Sequence, residues 1–266
     1  MNLCIQVLGS SSSGNCTLIW NEKGALLVDI GFSRKYVETL LAVHGIPLHT
    51  LTGVLITHVH GDHMKLRLLR SLIKKRVPLY CCESLIPPVT SRSGAARMTP
   101  RYIQSLPLCP FEIGPFSVEP FEVVHDSEGG CFGYRIEAGG RTVTIATDLG
   151  TVDGAVLARF LESDAIVLES NHDPEMLAKD RRIPPYIRDR IGRAHLSNEK
   201  CGEILRHVLT NSKRNLRAFI PVHISTQRNT PEMAVSGCAR ILAECGFPDV
   251  VIHAAAPKVA TPVVVL

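Results

Sequence analysis

The sequence predicts an α/β domain in which two β-rich halves carry their helices on the outside. Three observations lead there. Short apolar runs of strand character alternate with amphipathic helical stretches in both halves of the 266 residues. No low-complexity linker separates the halves, so residues 1–266 read as one domain. And 45% of the chain is hydrophobic against 20% charged, enough to bury a sizeable core.

The elements follow in order. Leu3 to Leu8 is apolar with poor alternation, and GSSSSGN (residues 9–15) follows it. Cys16 to Trp20 and Ala25 to Asp29 form a hairpin about Gly24. Ser33 caps a helix running to about His44, with Val37, Leu40 and Leu41 on one face and Pro47 beyond its end. Gly53 to Ile56 is a short buried strand. Lys65 to Lys75 is a helix with Leu66, Leu69, Leu72 and Ile73 as its apolar stripe, followed by a strand from Val77 to Cys81. Residues 83–108, rich in Ser, Pro and Arg, read as an irregular surface excursion. Strands resume at Ser117 to Val124, Cys131 to Glu137 and Arg141 to Thr147, the last two joined by an Ala-Gly-Gly turn. A helix (about Ala155 to Leu161), a strand (Ala165 to Glu169) and a Pro-broken basic loop come next. A helix from Ser197, a strand (Arg217 to Val222), a helix from Thr230 to Cys245 and strands near Val250 and Val263 complete the chain.

Composition narrows the setting. The first residues show no basic leader with a long apolar run, and no stretch nears the ~20 apolar residues that span a bilayer. Nine cysteines without CxxC spacing argue against a disulfide framework and a zinc ribbon. A reducing cytoplasm is the compartment expected. The net charge of +4 is mild. Basic residues nevertheless cluster at Lys65, Arg67, Arg70, Lys74, Lys75 and Arg76, and again from Arg181 to Arg193. Charge alone reads these as a solvated helix face and a polar loop.

Residues 55–63 read LITHVHGDH, which places four potential metal ligands in six positions. Alternate residues of an extended turn point the same way, so His58 and His60 reach one ion. Asp62 and His63, in the tighter turn entering the helix, reach a second. Imidazole with carboxylate and no thiolate suits Zn, Mn, Fe or Co. Two ions need further ligands, and three more candidates stand at the ends of apolar strands: His125, Asp148 and His223. Asp148 is suited to bridging two cations, and the two histidines complete the separate spheres.

With THVHGDH, His125, the TDLG around Asp148 and the PVHIS around His223, the chain resembles the metallo-β-lactamase superfamily over essentially its whole length. The resemblance implies an αββα sandwich of two mixed β-sheets with helices on the outer faces, and a site for two divalent ions, Zn or Mn, along one edge. It leaves the substrate open, because lactamases, thioester hydrolases, phosphodiesterases and nucleases share the motif. Two further segments narrow it. In IVLESNHD, Glu169 ends a buried strand; in GRAHLSNEKCGEI, His195 precedes Ser197, a good helix N-cap. The pair resembles the glutamate and histidine of tRNA 3′-processing nucleases, where the two act as proton donor to the leaving oxygen. A departing alkoxide needs that proton, whereas a thiolate does not. GSSSSGNC, VDIGFS, ESNHD, AHLSN and PVHISTQRNTPE together resemble the YycJ/WalJ group, which is associated with 5′-to-3′ exonuclease activity on DNA and with mismatch repair.

The reading expected is therefore a metal-dependent exonuclease on DNA. His58, His60 and His125 hold one ion, Asp62, His63 and His223 the other, and Asp148 bridges. Asp62, His195 and Glu169 are the catalytic set. Ser12, Asn15, Asn171, His172 and Ser197 are the candidate substrate contacts. GSSSSGN reads equally as an anion-binding nest of backbone N–H groups or as a tight turn packed near the ligands. DNA is the partner, with no membrane, and a homodimer is left open. The alternative is hydrolysis of a small cyclic or nucleotide phosphodiester.

Overall fold

Strands that are apolar on both faces have to be covered on both, and this requirement sets the architecture. The computed structural model describes residues 2–93 and 102–266. One sheet runs β14 (Val264–Val265), β1 (Cys4–Ser11), β2 (Gly14–Asn21), β3 (Gly24–Val28), β4 (Gly53–Leu55), β5 (Leu79–Cys82) and β6 (Ile103–Leu106). The other runs β13 (Val251–Ile252), β12 (Ala218–Val222), β11 (Ala165–Glu169), β10 (Arg141–Ala146), β9 (Cys131–Ala138), β8 (Phe116–Val123) and β7 (Phe111–Ile113). Both sheets are mixed. β3 to β6 pair in parallel while β14, β1, β2 and β3 are antiparallel. The second sheet is antiparallel from β7 to β10 and parallel from β10 to β13.

Three apolar clusters lie between the layers. Ile5, Ile19, Leu26 and Leu55 face Tyr134, Ile145, Val167 and Ile220 across the two sheets. On the outer face of the first sheet, Leu18, Leu27 and Val54 meet Val37 and Leu41 of α1 (Arg34–Val43) and Leu68, Leu69, Leu72 and Ile73 of α2 (Leu66–Lys74). Val89 of α3 (Ile86–Ser93) joins them. Outside the second sheet, Ile166, Leu168 and Phe219 pack on α4 (Gly154–Phe160), α7 (Asn198–Asn211) and α8 (Pro231–Glu244). The result is the expected αββα sandwich. It also explains the weak alternation of β1 to β3: Leu18 and Ile19, or Leu26 and Leu27, are neighbours that serve different cores.

Several boundaries differ from expectation, each for a local reason. β1 extends to Ser11, so Gly9 to Ser11 pair with Gly14 to Cys16 across a bulge between Val7 and Gly9. The Ser-rich stretch is thus a tight hairpin with Ser12 and Ser13 at its tip. The expected loop over 181–193 is largely helical: α5 (Pro174–Lys179) and α6 (Pro185–Ala194) each begin with proline in the first turn, where its missing N–H costs nothing. The excursion at 83–108 contains a turn of 3₁₀ helix (Glu83–Leu85), α3 and β6; its residues 94–101 lie outside the described residues. In α2, Leu68 takes the core position assigned to Leu66, which is exposed. The caps expected at Ser33 and Ser197 accept from the N–H groups of Tyr36 and Lys200.

Candidate metal centre and its cleft

The strands of both sheets end along one edge, and the expected ligands follow those ends. After β4 the chain turns through His58, His60, Asp62 and His63 into α2. From the other sheet come His125 after β8, Asp148 after β10 and His223 after β12. Two of these three, Asp148 at φ 58° and His223 at φ 54°, turn through the left-handed region, as does Asp29 at φ 62° after β3. Such conformations cost energy in residues other than glycine and persist where surrounding contacts fix them. Gly31 permits the crossing beneath: a Cβ there would lie 1.8 Å from the Asp62 carbonyl oxygen.

The ligand atoms converge in two groups. His58 Nε2 is 3.1 Å from His60 Nδ1, which is 3.4 Å from His125 Nε2. Asp62 Oδ2 lies 3.4 Å from His63 Nε2 and 3.5 Å from His223 Nε2. Asp148 stands between, with Oδ2 2.9 Å from His63 Nε2 and Oδ1 3.7 Å from His125 Nε2. Zinc–nitrogen bonds of about 2.0–2.1 Å in a tetrahedron separate neighbouring ligand atoms by roughly 3.3 Å, so these spacings fit a shared cation. Asp148 Oδ2 and His223 Nε2 are buried with no hydrogen-bond partner, atoms that a cation would satisfy.

Four of the five candidate ligand imidazoles, all but His60, are also held in one orientation. His58 Nδ1 donates to Thr57 Oγ1 at 3.0 Å, and that hydroxyl donates in turn to Asp29 at 2.8 Å. His63 Nδ1 donates to Asp29 Oδ2 at 2.7 Å, His125 Nδ1 to the Ala194 carbonyl at 3.2 Å and His223 Nδ1 to Glu169 Oε1 at 2.6 Å. With the proton on Nδ1, all four turn an Nε2 lone pair inward, the tautomer a metal ligand requires; at His63 that lone pair meets the Asn15 amide at 2.9 Å. Burial foremost, and then His63 beside it, hold His58 well below the usual imidazole value. Burial also opposes charge on His223, yet Asp148, Asp62 and Glu169 raise it to about 10. Asp148 remains ionised against its burial because His223 and His63 face it. The cluster favours positive charge, which a divalent cation supplies while displacing the imidazole protons.

Glu169 sits beneath both groups, fully buried. The parallel register Glu169↔Val222 brings it beside His223. Its Oε1 accepts from His223 and, at 2.8 Å, from His195 Nδ1, while Oε2 accepts the Leu149 and Leu196 N–H groups at 2.9 and 3.0 Å. Burial opposes its charge, but His195 and His223 hold it at about 2. Burial likewise lowers the His195 pKa, and the Glu169 carboxylate more than offsets this, so the imidazole lies above its ordinary value. Gly150 keeps this arrangement close, since a Cβ there would meet the Arg193 carbonyl at 2.2 Å.

The centre opens into a cleft of about 320 Å³. His60, Asp62, His125, Asp148, His195 and His223 form its floor, Ser12 one rim, and Ile187, Arg190, Ile191 and Ala194 of α6 a wall. Of the expected substrate contacts, Ser12 therefore reaches the cleft. Asn15 lies beneath it, with Nδ2 2.9 Å from His63 Nε2 and Oδ1 accepting from Ser10, whose Oγ accepts the His223 N–H. The Ser-rich hairpin thus packs against the ligands as a turn. The other three do not line this cleft. Asn171 Nδ2 donates to the His223 carbonyl, Ser197 caps α7, and His172 lines a groove between α5 and α6. Their segment is near the centre, but their side chains turn into the packing around it.

Asp29, Thr57 and the Ala194 carbonyl had no role in the sequence reading. Asp29 carried a signal: a carboxylate closing an apolar strand, within VDIGFS, has to find a buried partner. A backbone carbonyl leaves no trace in residue types.

An αββα sandwich whose strand ends bring imidazoles and carboxylates to such a centre defines a metal-dependent hydrolase. The chain belongs to the beta-lactamase superfamily, whose domain model matches residues 25–224. It is 30% identical over 269 residues to exodeoxyribonuclease YycJ of Bacillus anthracis, covering 99% of each chain. It is 29% identical to exodeoxyribonuclease WalJ of Streptococcus pneumoniae, over 96% of this chain and 95% of that protein. Among solved structures, the metallo-β-lactamase fold protein YhfI of Bacillus subtilis superposes over 100% of both chains with a TM-score of 0.72, at 15% identity. Among the described residues no helix is long and apolar enough to cross a membrane.

Proposed function

We propose that the protein is a cytoplasmic binuclear nuclease that removes nucleotides from DNA, working from the 5′ end. His58, His60 and His125 would hold one divalent ion and Asp62, His63 and His223 the second, with Asp148 placed between the two groups. Divalent ions held there would supply activation of a water and neutralisation of phosphate charge. The observation that carries the choice of a phosphodiester is the 2.8 Å hydrogen bond from His195 Nδ1 to Glu169. It leaves His195 Nε2 as the group that donates to the leaving oxygen, and Glu169 keeps the ring protonated and aligned. A general acid so placed contributes roughly 10²–10⁴-fold when the leaving group is an alkoxide. The relatives named exodeoxyribonucleases support DNA as the polymer.

A second reading, hydrolysis of a small cyclic or nucleotide phosphodiester, draws on the cleft itself, whose ≈ 320 Å³ would accept a single nucleotide. Salt separates the two. Across roughly 50 to 200 mM salt, KM for an oligonucleotide held by several phosphates should rise by orders of magnitude, and KM for a mononucleotide ester far less. A flat response for both would favour the small substrate.

A further inference from the structure

The wall of the cleft carries a feature that the chemistry above does not use. Tyr186 is the one aromatic side chain among the large hydrophobic residues that the described chain leaves exposed, at 68%. It stands in the first turn of α6, a helix with no buried residue. Successive residues of a helix are about 100° apart, so Tyr186 and Arg190, at i and i+4, share one strip. That strip borders the face formed by Ile187, Arg190, Ile191 and Ala194, which lines the cleft. Arg190 is itself 68% exposed, and its contact with Asp126 at 3.5 Å joins two solvated groups. Such a surface pair contributes little and yields readily to a phosphate. Of the acids nearby, Asp126 is paired with Arg190, while Asp189 lines, together with Arg193, the groove on the opposite side of α6.

We infer that this strip is a single-strand subsite, in which Tyr186 stacks a nucleobase on the 3′ side of the scissile bond while Arg190 takes an intervening phosphate. Aromatic rings set among cations are the usual means of holding single strands without reading sequence. The inference rests on the nuclease reading and adds a length rule to it. Tyr186 lies eight residues before Ala194, hence ~12 Å along the axis from the catalytic end of the helix. At roughly 3.4 Å per stacked nucleotide, that distance corresponds to the third or fourth nucleotide from the bond that is cut. Substrates shorter than this never reach the ring.

The test compares wild type, Tyr186→Ala and Tyr186→Phe, all loaded with metal. Because the ring is in solvent, its removal takes nothing from the core. KM is measured for a single-stranded DNA octamer and for a dinucleotide. Binding is followed separately by 2-aminopurine fluorescence in a cleavage-resistant phosphorothioate octamer, with the probe placed in turn at each of its first four positions. For Tyr186→Ala we expect KM of the octamer to rise about tenfold with kcat retained, KM of the dinucleotide to hold, and quenching to be lost at the third or fourth position. Tyr186→Phe, which keeps the π face, restores both. An unchanged octamer KM, or an equal rise for octamer and dinucleotide, would overturn the subsite. If wild type cleaves no oligonucleotide, the nuclease reading fails by itself. Quenching that still depends on Tyr186 would then leave the subsite standing, and its absence would remove that as well.

Discussion

The floor of the cleft and its wall are built by opposite rules. On the floor Asp148 and His223 are almost wholly buried, as are His58, His63 and Glu169 beneath it, and the ring nitrogens turned away from the centre meet fixed acceptors. The wall is α6, where no residue is buried and the side chains of Tyr186 and Arg190 stand in water. The two meet at Ala194, whose carbonyl orients His125 and whose neighbour is His195. A rigid floor suits chemistry, which tolerates little displacement. An exposed wall suits a polymer that must arrive, advance and leave. The division also says where substitutions should abolish turnover and where they should alter only the choice of substrate.

The largest effect should come from the floor. Asp148→Ala removes the carboxylate common to both ligand groups, and we expect metal content measured by atomic emission and activity to fall together, activity by more than about a thousandfold. His195→Ala should keep the metal and lower kcat by roughly 10²–10⁴-fold on DNA, with a much smaller loss on a nitrophenyl ester. Equal losses on both substrates would deny His195 the role of acid. Asp29→Asn comes next: it weakens the anchor of His63 and Thr57 without touching the centre, and metal affinity measured by competition with a chelating dye should fall about 10–100-fold.

The pH dependence tests the same floor. His195 is raised above its ordinary value, so it is protonated below that raised value and loses its proton as pH climbs through it. The alkaline limb of kcat on DNA should therefore lie above the ordinary imidazole range. In Glu169→Gln burial still depresses the ring and the carboxylate no longer lifts it, so the limb should move to lower pH. A limb that stays in place would assign it to another group. The smallest effect belongs to the wall: Arg190→Ala should reduce the slope of log affinity against log salt by about one, while kcat changes little.

What the sequence disclosed follows the same division. The convergence of His58 to His63 was legible because these candidate ligands are adjacent, and that of His125, Asp148 and His223 because each follows an apolar strand. The αββα arrangement came from the resemblance those residues carry; strands buried on both faces give little alternation of their own. The orienting partners were mostly hidden, since Asp29 lies far from His63 in the chain and Ala194 acts through its backbone. Asn171, His172 and Ser197 show the converse error. Their proximity in sequence to Glu169 and His195 suggested cleft contacts, but side chains on consecutive residues point in different directions, and theirs serve the packing. α6 was hidden by its proline, which breaks a helix in its interior and begins one at its first turn.

The central claim is that this metal centre cuts a polynucleotide from its end. End-labelled DNA and RNA oligonucleotides, single- and double-stranded, incubated with the protein and added Mn or Zn and resolved as a product ladder, test it most directly. The account predicts mononucleotides released stepwise from the 5′ end of DNA. No cleavage of any polymer, with a chromogenic phosphodiester still turned over, would contradict it and leave a small phosphodiester as the substrate.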